Sequence, residues 1–79
     1  MVKKELATEI VAFCMEYKIK ESPKEKTVAQ SKALEYLGYS WWVENLIQTL
    51  FEARYIKNID SKRLEELLEE LEKVRLELE

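Results

Sequence analysis

Trp41, Asn45 and Gln48 follow one another at intervals of four and three in "SWWVENLIQTL". On a helix that spacing puts all three on one face. An indole and two carboxamides do recognition chemistry rather than bond-making chemistry. Asn and Gln each offer a donor and an acceptor side by side, the pattern that pairs with the edge of an adenine. A tryptophan on the same face adds a large apolar contact of the kind that anchors protein interfaces. Nothing else in the chain has the makings of a reaction centre. Cys14 is the only cysteine, and there is no histidine to serve as its base. Phe13 and Met15 beside it mark a small buried hydrophobe. Without histidine or a cysteine cluster a zinc site is not expected, and a single glycine leaves no phosphate-cradling loop. We expect no enzyme activity and no cofactor.

The elements that would carry these residues are helical. The chain has 79 residues, enough for one small domain. Such a domain buries only about 60% of its unfolded surface. Leu6, Ile10, Phe13 and Tyr17 form a stripe with Ala7, Val11 and Cys14, predicting a first helix over about residues 3–19. Glu21, Ser22 and Pro23 interrupt it. Ser22 or Thr27 can cap a second helix, with Pro23 and Glu25 in favourable positions after Ser22. Val28, Ala33, Leu34 and Leu37 carry that helix to Gly38. The glycine is expected to take the left-handed conformation that ends many helices. Ser40 is read as the cap of a third helix running to about Arg54. Val43, Ile47 and Leu50 are its inward face, with Trp42 on the flank and Trp41, Asn45, Gln48 and Glu52 outward. Asp60 or Ser61 starts the fourth helix, with Glu65 and Glu66 read as its first turn.

The stretch "ALEYLGYSWWVENLIQTLFEARYIKNID" resembles the core of a winged helix-turn-helix domain. Leu37–Gly38, Ser40, Val43, Ile47, Leu50 and the apolar pair Tyr55–Ile56 stand at the matching positions. The likeness covers about residues 27–59. Leu34 stands where that family carries a small residue. "IKNID" runs at once into the last helix, so the wing is reduced or absent. The resemblance implies an all-α helix-turn-helix core of three helices in residues 1–59, followed by a long terminal helix in residues 60–79. It also implies that the third helix, residues 40–54, lies in a DNA major groove as a recognition helix. Trp41, Asn45 and Gln48 would then face the bases. An alternative for Trp41 is burial against the fourth helix or a second subunit.

Charge bears on the partner. The net charge is −3 and is uneven. Residues 1–59 hold nine Lys/Arg and eight acids, whereas residues 60–79 hold four and eight. Phosphate contacts would have to come from Lys24, Lys26, Lys32, Arg54 and Lys57, with Lys18 and Lys20 nearby. Glu44 and Glu52 point the same way as Asn45 and Gln48 and oppose them. In the terminal helix Leu64, Leu67, Leu71, Val74 and Leu78 are spaced 3, 4, 3 and 4, a heptad seam widened by Leu68. In the family it resembles, such a helix often dimerises, so a homodimer through these five residues is expected. No apolar run approaches the roughly 20 residues a membrane span needs, and no leader is visible, so a soluble cytoplasmic chain is expected. The abundance of Lys and Glu, with little Asn or Gln, resembles hyperthermophile usage. Two functions follow as expectations. One is a small dimeric DNA-binding regulator. The other is a protein-interaction or adaptor module on a helix-turn-helix frame, engaging a protein partner through the Trp41 face.

Overall fold

The first helix takes its length from its apolar stripe and its end from the backbone. A computed structural model describes residues 1–19 and 26–79, with the side chains of residues 26–30 left out. The first helix, α1, runs Lys3–Glu16 and buries Leu6, Ala7, Ile10, Val11, Phe13 and Cys14. It stops three residues before the expected end because Lys18 turns left-handed, at φ 54°. The Ile19 amide then donates to the Cys14 carbonyl at 2.9 Å, and Lys18 to that of Met15 at 3.4 Å. This pair of bonds is a Schellman closure, normally built on glycine. Ile19 folds back against the core, as that closure favours.

The second helix, α2, spans Lys26–Tyr36. Its proposed caps Ser22, Pro23 and Glu25 lie outside the described residues. Among the described side chains, Ala33 in α2 and Leu37 just past its end are buried and Leu34 is exposed. Gly38 is not left-handed. Its amide donates to the Glu35 carbonyl at 3.1 Å, and Tyr39 donates to Tyr36 at 3.0 Å, closing the helix by a tight turn instead. A Cβ at Gly38 would sit 3.3 Å from the Glu35 carbonyl oxygen, so the glycine allows a close backbone approach.

The third helix, α3, spans Ser40–Glu52 and continues as a 3-10 turn at Ala53–Tyr55. Ser40 is already helical, and Tyr39 holds the cap position without a side-chain bond. The Tyr39 carbonyl accepts from Val43 at 3.0 Å, so the backbone itself starts the helix one residue earlier than expected. The buried residues are Val43, Leu46 and Leu50, while Ile47 is only half-buried. Asn58, at φ 63°, turns the chain toward the last helix. Asparagine tolerates this conformation better than most residues.

The fourth helix, α4, spans Ser61–Leu78. Asp60 caps it, its Oδ1 accepting from the Arg63 amide at 3.2 Å. Glu65 and Glu66 therefore fall past the first turn.

Four helices and no strand are found among the described residues, so the fold is all-α and has no wing there. Tyr55, expected to lead into a wing, is exposed, and Ile56 packs against the core. α1 packs on α2, α3 packs on α4, and α1 also meets α4. The Tyr17 hydroxyl accepts from the Asp60 amide at 3.0 Å, and Arg63 pairs with Glu16. Both tie the end of α1 to the start of α4. At the other end Lys3 lies 3.8 Å from Glu77, so α1 and α4 run antiparallel.

One apolar cluster draws on all four helices. It includes Leu64, Leu67, Leu68, Leu71 and Val74, with Leu78 packed at its edge. The seam expected to join two copies is thus consumed inside one chain. Residues 60–79 complete the core of this chain. The physical reason is shortage: α1 and α3 each present an apolar face, and α4 is the element that covers both.

Candidate functional site

α3 is amphipathic, and its phase decides what is left outside. With Val43, Leu46 and Leu50 inward, Trp41, Glu44, Asn45, Gln48, Phe51 and Glu52 are exposed. Trp42 is half-buried and stacks on Tyr36 of α2 at 4.3 Å between ring centroids. Trp41 is 57% exposed and meets Trp42 edge-on at 5.5 Å, with Tyr39 at 6.2 Å. At that exposure it is not buried against the fourth helix, as the alternative reading had it. Neighbouring rings hold this indole in place without covering it, which lowers the entropy it would lose on meeting a partner.

Sequence reasoning missed two further aromatics. Phe51 is 50% exposed and Tyr55 88% exposed. Both follow Trp41 along the outer side of α3 and its 3-10 extension. The signal was present: each sits off the inward spacing of Val43 and Leu50. The reading of Tyr55–Ile56 as a wing entry hid it. The Arg54 guanidinium lies 4.0 Å from the centre of the Phe51 ring and donates to Glu65 Oε1 at 3.0 Å.

Of the predicted basic residues with described side chains, Arg54 is the one seen in contact with this face. Arg54 is committed to Phe51 and Glu65. Lys32 is exposed on α2, and Lys57 is exposed in the connection after the 3-10 turn. The side chains of Lys24 and Lys26 lie outside the described residues. Asn45 and Gln48 stand on the outer face where they were expected. The only charges on the helical part of that face are Glu44 and Glu52.

A shallow groove runs beside the exposed face, between α3 and α4. One part, of about 330 Å³, is floored by Ile47, Phe51 and Leu68. A second part, of about 290 Å³, continues from Ile47 past Glu44 and Gln48 to Arg75. The lining runs in opposite order along the two helices, so α3 and α4 are antiparallel.

Cys14 offers no reaction chemistry. It is buried, and burial pushes its thiol up from 9.0 to about 11, so it stays protonated at neutral pH. Among the described residues no three His, Cys, Asp or Glu side chains are placed to hold a metal ion. Among them, too, no helix is long and apolar enough to cross a membrane. Comparison with known proteins finds no matching family model, no matching curated protein and no matching solved structure.

Proposed function

We propose that this chain is a protein-interaction module that offers the outer face of α3 to a protein partner. The observation that carries this reading is the row of exposed aromatics, Trp41, Phe51 and Tyr55, on a helix whose other outward charges are Glu44 and Glu52. Exposed tryptophan and tyrosine are the residues most often found at the energetic centre of protein interfaces. A duplex would instead bring phosphates toward two carboxylates, with no basic side chain on the helix to receive them. The helix-turn-helix likeness supports a frame for recognition and leaves the class of partner to the surface. The dimeric DNA-binding regulator is the weaker proposal on both counts. Its adenine-reading residues Asn45 and Gln48 are available, but α3 itself carries no Lys or Arg and the seam of α4 is filled within one chain.

Two titrations separate these readings. Random duplex DNA at low salt, followed by anisotropy, should give no binding below roughly 100 μM, weaker than ordinary nonspecific affinity. Tighter binding that falls steeply with salt and weakens in Asn45→Ala or Gln48→Ala would replace the interaction module by the DNA regulator. Selection of a random peptide library on the folded chain should yield binders that Trp41→Ala or Tyr55→Ala loses. Binders indifferent to both changes would remove α3 as the binding face.

A further inference from the structure

The groove between α3 and α4 has an apolar floor and an acidic rim. Ile47, Phe51 and Leu68 make the floor. Around it stand Glu44, Glu65, Glu69 and Glu72, against two cations, Arg54 and Arg75. Both cations are already engaged, Arg54 with Glu65 at 3.0 Å and Arg75 with Glu72 at 2.7 Å. Glu44 and Glu69 have no ion-pair partner among the described residues. They lie on opposite walls, one on α3 and one on α4. From Glu44 to Arg54 the wall is ten residues of helix and turn, about 15 Å long. That is room for about three turns of an incoming helix.

We infer that this groove takes a short basic amphipathic helix from the partner protein. The inference rests on the reading of α3 as a protein-binding face and names the chemistry of what binds there. Apolar side chains at i, i+4 and i+7 of the incoming helix lie along Ile47, Phe51 and Leu68, the usual way a helix enters a groove. Lysines or arginines on its two flanks reach Glu44 on one wall and Glu69 on the other. Phe51 belongs both to the groove and to the exposed face of α3, so the groove adjoins the proposed binding face. An acidic or neutral helix would leave the rim charges desolvated without compensation, which gives the groove its selectivity.

The test uses a fluorescein-labelled synthetic helix of about 12 residues, Leu at i, i+4 and i+7 and Lys on both flanks, with a twin carrying Glu for each Lys. The lysine peptide should bind the whole chain and the glutamate twin should not. The double variant Glu44→Lys with Glu69→Lys should weaken binding by about tenfold or more. The matched variant Glu66→Lys with Glu77→Lys makes the same change in net charge on the side of α4 that meets α1, and should leave affinity within about twofold. All four positions are exposed, so helicity by circular dichroism should be unchanged in both doubles. Absence of binding by the lysine peptide, or equal weakening by both doubles, overturns the inference. A doubling of mass in light scattering that the peptide competes away would assign the groove to a second copy and overturn it as well. If library binders still depend on Trp41 and Tyr55 while the lysine peptide fails, the wider reading stands and only the groove assignment falls.

Discussion

The leucine seam of α4 and the outer face of α3 both carry large apolar side chains and end in opposite places. Leu71 at the middle of the seam has 0% of its surface exposed, whereas Tyr55 at the end of the face keeps nearly all of its own. The difference comes from geometry. Leu64, Leu67, Leu71 and Val74 share one side of one helix, so a single neighbouring layer can cover them together. Trp41 and Phe51 lie outside the arc of Val43, Leu46 and Leu50, so no rotation of α3 buries both sets. A small domain short of core surface would gain from burying every aromatic it has. Here a long terminal helix closes the core while Tyr39, Trp41, Phe51 and Tyr55 are left exposed. The regular apolar pattern reports what the chain needs for itself, and the apolar residues off that pattern report what it can offer to others.

The largest effect should come from the seam. Leu71→Ala should cost about 2–5 kcal/mol, the range for fully buried leucine, read from the denaturation midpoint. The midpoint should not move with protein concentration, since the seam is filled from within one chain. A strong concentration dependence would break the comparison by returning the seam to a dimer interface.

A smaller effect should come from the tie that holds α4 on α1. Tyr17→Phe removes the acceptor of the Asp60 amide and should cost about 1 kcal/mol. An unchanged melting temperature would mean that water replaces the hydroxyl and that apolar packing alone seats α4.

The smallest effect belongs to the outer face. Gln48→Ala should change stability by less than about 0.5 kcal/mol, as surface substitutions usually do. A loss comparable to that of Leu71→Ala would show that α3 is turned the other way and that its outer face is core.

Much of this architecture is legible in the residues. The apolar stripe of α1, a cap at Asp60 or Ser61 and the outward position of Trp41, Asn45 and Gln48 all follow from spacing and capping chemistry. The phase of α3 was harder. Val43, Leu46, Leu50 and Val43, Ile47, Leu50 are both acceptable helical faces, differing only in the order of a three and a four. α4 settles the matter by where it lies, and spacing within α3 contains no record of that. The turns misled for a related reason. Glycine is the commonest residue for a left-handed helix end, so Gly38 drew the assignment. The structure places that conformation at Lys18, where the gain from seating Ile19 on the core offsets the cost of a side chain at positive φ. The seam of α4 named its own residues correctly and could not name what they pack against. A heptad stripe fits a second copy or the chain's own core equally well.

The pairing of α1 with α2 and of α3 with α4 has a bearing on how the chain reaches this state. Each pair joins helices adjacent along the chain, so each can form a hairpin by closing one short loop. The entropy of closing a loop grows slowly with its length and must be lost before contacts repay it. On that ground the two local closures are expected to precede the distant one, in which α1 meets α4. Such a low contact order is typical of chains that fold on the order of microseconds to milliseconds. The last event, docking of one hairpin on the other, is also the one that brings the Tyr17 hydroxyl to the Asp60 amide and Glu16 to Arg63. In the folded chain these polar ties fasten the pair α1–α2 to the pair α3–α4.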